Sequence, residues 1–367
     1  MKELFILFRA PVRIETLWKV CFPISCGRAV GARKMAEFGT TSFLVASVQA
    51  TPVFLNRAAC IEKACSLITE AGNAGAKLTI FPEGFIPTYP VWTWYVPPFK
   101  SQVLRELYVE LVDNSVTVPS QETDSLCDAA TKAGVNVVIG VNERNSEASG
   151  TTLYNTLLFI GSDGNLLGKH RKMVPTAAER LVHAWGDGSA LKVYDLPVGR
   201  LSGLICWENY MPLARYAMYA WGAQLYAAPT WDRGEVWAST LRHIAKEGRV
   251  YVISCCTPMK HSDIPDRYAF KKEFLPETEW LNPGESAIVD PDGNFLVEPV
   301  SHREEILYAE VDTRKMKGQR YQFDVAGHYG RPDIFELTVN RKKHEMIRVH
   351  GILPEEESQH ANRQEGK

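Results

Sequence analysis

Over residues 42–340, short apolar runs bounded by turn residues alternate with stretches of helical periodicity. The runs at 43–49, 78–82, 135–141, 153–161, 191–196, 201–207, 225–228 and 250–255 are nearly continuous in apolar side chains, which suits strands covered on both faces. Apolar residues spaced by three and four predict helices over 57–73, 101–113, 121–133, 212–222 and 235–247. In the second of these, Leu104, Leu107 and Leu111 share a face, and Pro119 forbids continuation. Asp163-Gly164 and Asp292-Gly293 each punctuate a strand pair, as hairpin turns require. No internal repeat or Gly/Pro/Ser-rich linker interrupts the pattern, so 42–340 reads as one α/β domain.

The two ends differ from this middle. Residues 1–34 carry seven basic side chains against Glu3 and Glu15, and 1–41 reads as a basic, poorly ordered extension. Residues 341–367 are polar and lack apolar periodicity, so they read as a tail; the cluster Arg341-Lys342-Lys343-His344 within it reads as a solvated face. The whole chain of 367 residues has 41 basic and 43 acidic side chains, too even a balance to favour nucleic acid or an anionic membrane as partner. With 45% apolar residues it can close a large core without covalent staples. Its 8 cysteines show neither CxxC pairs nor dense spacing, which points to a reducing, cytoplasmic setting; the basic leader is the one feature that suggests organelle targeting. The longest charge-free stretches, such as 84–99 and 216–231, are broken by Gln, Thr or Pro and predict no membrane span.

Three segments carry reactive side chains where a strand meets a loop, the usual place for sites in α/β folds. Leu78–Pro82 delivers Glu83 at its end, followed by Gly84 and Pro87; a carboxylate at the end of an apolar strand is desolvated, and its pKa rises toward a value useful for proton transfer, but this segment alone reads equally well as a surface glutamate opening a loop. Gly168-Lys-His-Arg-Lys172 is a basic cluster that ends at Pro175 and, on its own, reads as a solvated charged turn; Glu179 lies seven residues past Lys172. Leu201–Trp207 carries Cys206 to a strand end, before a helix led by Pro212. A lone cysteine is usually a small buried hydrophobe, but a strand-end thiol beside backbone N–H groups and a cation is where thiolate is stabilised. The histidines form no HExxH and no zinc spacing with cysteine, and there is no GxGxxG or GxxxxGK[ST] loop, so neither metal nor nucleotide cofactor is expected.

Together these segments resemble the nitrilase superfamily, and CWENYMPLAR (206–215) resembles its true nitrilase branch. Further support comes from Val48-Gln49-Ala50, FPEGFIPTYP (81–90), GKHRKMVPTAAER (168–180), GDGS (186–189) and HYGRPDIFELTV (328–339), in this order and spacing. The resemblance implies an α-β-β-α sandwich whose protomers pair across the helix after the nucleophile into a longer layered sandwich, extending into spirals. It also implies catalytic roles for Glu83, Lys172, Glu179 and Cys206, no cofactor, and a small-molecule nitrile as substrate. Where the family pattern ERxxWGxGDGS has a tryptophan, this chain has His183, which bears on substrate preference.

The implied reaction is hydrolysis of a nitrile to the carboxylic acid and ammonia through a cysteine thioimidate and a thioester. Lys172 and a backbone N–H beside Trp207 would stabilise the anionic states, with Glu179 aiming Lys172. Tyr89, Trp92, Trp94, His183, Trp207, Thr230 and Trp231 lie near these segments and are candidates for the substrate pocket, each equally compatible with ordinary core packing. The alternatives are a cyanide hydratase or aliphatic amidase built on the same residues, and a catalytically silent interaction protein. A Cys/His thiol hydrolase would have only His243 to draw on.

Overall fold

The computed structural model describes residues 42–345; the expectations for 1–41 and for the tail past 345 fall outside them. In chain order the described elements are β1 (Phe43–Gln49), α1 (Arg57–Asn73), β2 (Ala76–Ile80), α2 (Ser101–Asn114), α3 (Gln121–Ala133), β3 (Asn136–Arg144), β4 (Leu153–Ile160) and β5 (Leu166–Arg171). There follow β6 (Tyr194–Leu196), β7 (Gly199–Gly203), α4 (Pro212–Ala220), β8 (Leu225–Thr230), α5 (Glu235–Gly248), β9 (Tyr251–Cys256), β10 (Pro258–Lys260), α6 (Ala269–Phe274), β11 (Trp280–Val289), β12 (Phe295–Ser301), β13 (Glu305–Val311) and α7 (Lys315–Gln322). They form one sheet in the order β13-β1-β2-β3-β4-β5 and a second in the order β10-β11-β9-β8-β7-β6, with β12 paired to β11.

The sheets face each other through apolar side chains: Val45, Leu78, Ile80, Val138, Leu157 and Phe159 of the first meet Leu201, Leu225, Ala227, Ile253 and Ile288 of the second. Two polar contacts fix their alignment, Ser47 Oγ donating to Ser254 O at 2.8 Å and Ser286 N donating to Gln49 Oε1 at 2.8 Å. Helices cover the outer faces. α1 starts at Asn56, whose side chain accepts from Ala59 N at 3.1 Å, and it buries Cys60, Ala64, Ile68 and Ala71 in one stripe. α3 ends where Gly134 takes the left-handed conformation that closes a helix, φ 64°. These two cover the first sheet, while Met218 of α4 and Trp237, Leu241 and Ile244 of α5 cover the second. The result is the α-β-β-α layering that the resemblance implied.

Several local expectations change. The apolar run 201–207 is a strand only to Gly203; Leu204 and Ile205 leave the sheet, and Cys206 opens a 3-10 turn, Cys206–Tyr210. In 191–196 only Tyr194–Leu196 pairs. The basic cluster 168–172 is not a solvated turn. Residues 166–171 are β5, an edge strand hydrogen-bonded to β4, and strand alternation sends Lys169 and Arg171 to one face and His170 and Lys172 to the other. Trp92 belongs to the core, edge-on to Phe54 with ring centroids 5.9 Å apart.

Candidate active site

Each reactive side chain is delivered just past a strand of the sandwich. After β2, Phe81 N still donates to Val138 O at 2.8 Å, and the chain then turns through Pro82-Glu83-Gly84 against β3. That turn sits on Gly140, where a Cβ would lie 2.3 Å from Pro82 O and 2.5 Å from Gly84 N, so only glycine admits the approach. Lys172 N donates to Asn155 O at 2.7 Å, extending the β4–β5 pairing by one residue and aiming the Lys172 side chain inward. Thr176 opens the short helix Ala177–Leu181, and Glu179 turns back to accept from Thr176 N at 3.0 Å.

Lys172 Nζ is wholly buried between two carboxylates, donating to Glu83 Oε1 at 2.7 Å and to Glu179 Oε2 and Oε1 at 2.8 and 3.1 Å. One cation cannot neutralise two buried anions, and the environments divide the carboxyls. Glu179 also accepts from Tyr89 OH at 2.8 Å; burial would raise its pKa, but Lys172 and the Thr176 amide hold it below the ordinary value. Glu83 accepts from Lys172 and, at 2.7 Å, from Asn155 Nδ2, all on Oε1, while its buried Oε2 has no partner among the described residues. Burial, helped by Glu179, outweighs Lys172 there and lifts the Glu83 carboxyl to about 7. Lys172 stays charged: burial opposes the charge, but the two carboxylates raise its pKa above the usual lysine value.

Cys206 is buried beside this trio. Desolvation first, and then Glu83, raise its pKa above the ordinary thiol value, against the pull of Lys172 and a hydrogen bond with the Thr230 side chain. The resting sulfur is therefore a thiol whose proton can leave only to a nearby base. Its backbone has φ 51°, a left-handed conformation that costs of order 1 kcal/mol or more for a non-glycine residue and must be held by its surroundings. Glu208 holds it. Entirely buried, Glu208 accepts from Ile205 N at 2.8 Å on one oxygen and from Met173 N at 2.7 Å on the other, with His170 Nε2 at 3.0 Å. It thus ties the residue before Cys206 to the residue after Lys172. Burial raises its pKa, but these donors and His170 keep the carboxyl below its ordinary value. Asn209 adds hydrogen bonds to Leu204 O at 3.0 Å and Cys206 O at 2.9 Å.

A cavity of about 350 Å³ opens onto Cys206 and Glu179, walled by Tyr89, Trp94, Tyr95, Thr176, Trp207, Trp231, Asp232, Arg233 and Leu281. Tyr89 and Trp231 stack with ring centroids 4.5 Å apart, and Trp94 Nε1 donates to Tyr89 OH at 2.9 Å. Of the residues singled out in the sequence, Glu83, Lys172, Glu179 and Cys206 meet at one point, and Tyr89, Trp94, Trp207 and Trp231 are on the wall. His183 and Thr230 are not on the wall. His183 leaves the Ala177–Leu181 helix toward β3, placing Nε2 2.7 Å from Asn142 Oδ1, and burial lowers its pKa to about 4, so the ring is neutral at pH 7. Thr230 is fully buried, and its Oγ1 accepts from Asp232 N at 2.7 Å.

Asn155, Glu208, His170 and Arg233 were not among the site residues singled out in the sequence, although Glu208 lies in the CWENYMPLAR segment that carried the resemblance. Asn155 had a signal, a polar residue inside the apolar run Leu153–Ile160, and so did Glu208, two positions past the thiol. Among the described residues no group of three His, Cys, Asp or Glu side chains is arranged to hold a metal ion, and no helix is long and apolar enough to cross a membrane.

The carbon-nitrogen hydrolase family matches residues 44–321. An aliphatic nitrilase of Sinorhizobium fredii is 42% identical over 304 residues, covering 82% of this chain and 97% of that one. A bifunctional nitrilase/nitrile hydratase of Lupinus angustifolius is 37% identical, covering 83% of this chain and 88% of its own length. Nitrilase 1 of Arabidopsis thaliana is 37% identical, covering 84% and 90%. Among solved structures, the Nit3 protein of Saccharomyces cerevisiae superimposes with a TM-score of 0.60 at 21% identity, covering 79% of this chain and 97% of that one, a likeness of fold. The NitFhit protein of C. elegans gives a TM-score of 0.62 at 21% identity, covering 84% of this chain and 69% of that one. A buried thiol beside a lysine held between two glutamates, on this sandwich and with these relatives, places the chain in the carbon-nitrogen hydrolase family, in the nitrilase branch of its superfamily.

Proposed function

We propose that the protein hydrolyses an organic nitrile, with two waters, to the carboxylic acid and ammonia. The observation that carries this reading is the asymmetry around Lys172: Glu179 is held as an anion, whereas Glu83 has an unpartnered oxygen and a pKa of about 7 beside a protonated thiol. A nitrile carbon is a modest electrophile, so the site must supply both a thiolate and a proton for nitrogen. Ionised Glu83 takes the Cys206 proton as sulfur attacks carbon, then gives it to nitrogen, leaving a thioimidate. Lys172 and the Trp207 amide, in the first turn of the 3-10 helix, stabilise the negative nitrogen. Glu83 next removes a proton from water adding to the thioimidate and passes it to nitrogen, giving a tetrahedral adduct with a hydroxyl and an amino group; the hydroxyl proton then moves through Glu83 to the amino group as C=O forms, and the C–N bond breaks to release ammonia and leave the thioester. A second water, activated in the same way, breaks the C–S bond of the thioester. The acid leaves, and Glu83 returns the proton to Cys206.

The family resemblance also supports pairing of protomers across α4. Leu213 on that helix is 68% exposed and Val236 on α5 is 73% exposed, an apolar surface that a second copy would cover. Light scattering should then give a mass of two or more chains, and Leu213→Glu should lower it.

The deciding experiment assays ammonia, acid and amide from benzonitrile, an aliphatic nitrile and cyanide. Acid with equimolar ammonia from an organic nitrile supports a nitrilase; amide or formamide as the sole product selects a hydratase; turnover of amides alone selects an amidase. Mass spectrometry of the quenched enzyme should find an adduct on Cys206.

A further inference from the structure

The cavity wall carries three charged side chains, Glu179, Asp232 and Arg233, and their partnering is unequal. Glu179 is satisfied by Lys172, Tyr89 and Thr176. Asp232 accepts from Trp207 Nε1 at 2.9 Å and Tyr210 OH at 3.1 Å on one oxygen, and from Arg233 N at 2.8 Å on the other. The Arg233 guanidinium makes no ion pair and no hydrogen bond among the described residues, although its own loop includes Asp232 and is fastened to Glu285.

That loop is nonetheless firmly built. Thr230 Oγ1 accepts from Asp232 N at 2.7 Å, Trp231 O accepts from Asn282 Nδ2 at 2.8 Å, and Glu285 Oε2 accepts from Gly234 N at 2.6 Å. Trp231 is further fixed by its stack on Tyr89. The fork of donors on Arg233, an exposed side chain, is therefore carried on a braced segment in the wall of the same aromatic cavity that opens onto Cys206. Its open valences match a planar anion, since a guanidinium takes both oxygens of a carboxylate at once. Lys172, the other cation of the site, is already shared by two carboxylates and has nothing to offer a substrate's remote end.

We infer that Arg233 is a specificity-determining residue that selects nitriles bearing a carboxylate at the end remote from the cyano group. This deepens the nitrile-hydrolysis reading and rests on it. Dinitriles fit the same logic: the first hydrolysis converts one cyano group into the carboxylate that Arg233 holds while the second cyano group meets the thiol. Because Arg233 is not among the groups that Lys172 joins beside the thiol, its contribution falls mainly on KM.

The test compares 3-cyanopropanoate, 4-cyanobutanoate and 5-cyanopentanoate with neutral nitriles of the same shape, in which an isopropyl group replaces the carboxylate, 5-methylhexanenitrile for the middle member. The wild-type enzyme should prefer at least one cyanocarboxylate, and Arg233→Gln should lower that preference in kcat/KM by about tenfold, through KM. Sodium chloride should narrow the wild-type preference, the pair being solvent-accessible. Arg233→Glu should turn the preference toward an ammonium-bearing nitrile such as 4-aminobutanenitrile. Equal losses for charged and neutral partners in Arg233→Gln, or no charged preference in the wild type while neutral nitriles still yield acid and ammonia, overturn the inference and leave the nitrilase reading standing. Failure of every nitrile, charged and neutral, overturns both.

Discussion

The two faces of β5 carry opposite solutions to one electrostatic problem. On the outer face a single carboxylate, Glu143, is shared by two cations, Lys169 at 2.5 Å and Arg171 at 2.6 Å, with Thr156 Oγ1 donating at 2.8 Å. Arg171 also lies over the Tyr154 ring at 4.0 Å. On the inner face a single cation is shared by two carboxylates. Burial raises both Glu143 and Glu83, but two cations pull Glu143 below the ordinary value, whereas one cation divided with Glu179 leaves Glu83 at about 7. The outer cluster is saturated with positive charge and has nothing to exchange. The inner one is a cation short, and that deficit creates a carboxyl able to take and return a proton near neutrality. The lesson is one of stoichiometry: the same residue types on the same strand are structural or reactive according to which charge is in excess.

The strongest way to break this comparison is to remove the exchangeable proton site. Glu83→Gln should lower kcat/KM by about 10³ or more while the protein stays folded, the range that general acid–base groups supply. A fold-change below ten, with an unaltered melting curve, would refute the role. Lys172→Met leaves the two inner carboxylates without a cation and should cost about 10²–10³ in kcat, as loss of a transition-state donor does. Lys169→Met, which leaves Arg171 on Glu143, should keep activity close to wild type, measured as ammonia release.

Next in size is the clamp between the two reactive loops. Because each Glu208 oxygen accepts a backbone N–H, a glutamine amide can satisfy only one of them. Glu208→Gln should therefore be worse than Glu208→Asp despite the closer match in shape, with losses on the order of a hundredfold in kcat, as misplacement by about 1 Å produces. The reverse order would point to simple space filling. Smaller again is Asn155→Ala. Its amide lowers the Glu83 pKa, so its removal should move the acidic limb of the kcat/KM profile, centred near 7 in the wild type, to higher pH. A limb that stays put would detach Glu83 from that titration.

The smallest effect concerns stability. Glu83, whose folded pKa is raised, favours the fold in its protonated form; its contribution is present below its unfolded value of 4.5 and is lost as pH rises through about 7. Glu143, whose folded pKa is depressed, contributes above 4.5 and loses that contribution as pH falls through its folded value. Thermal melts of Glu83→Gln and Glu143→Gln against wild type should therefore diverge with opposite pH slopes.

Much of this contrast was hidden in the sequence. Glu83 and Cys206 could be singled out because each follows an apolar run, and helix bounds such as 57–73 and 121–133 follow directly from spacing and end signals. β5 was obscured because Lys-His-Arg-Lys has polar side chains on both faces, so the two-residue alternation leaves no hydrophobic trace even though one face is buried. β13 was missed because Glu305 and Glu310 interrupt its apolar pattern at an edge of the sheet. The aromatic stretch 89–95 could not be sorted by composition: Trp92 fills the core while Trp94 faces the cavity, two positions apart on one 3-10 turn. Asn155 was legible only as an oddity, because its meaning depends on Glu83, 72 residues away in sequence.

The seat of the Glu83 turn on the bare backbone of Gly140 has an engineering consequence. Any side chain there would push against Pro82 and Gly84, so a substitution at Gly140 will displace Glu83, whatever it does to binding. Libraries meant to alter substrate range belong on the cavity wall instead, for example at Arg233, whose side chain is exposed.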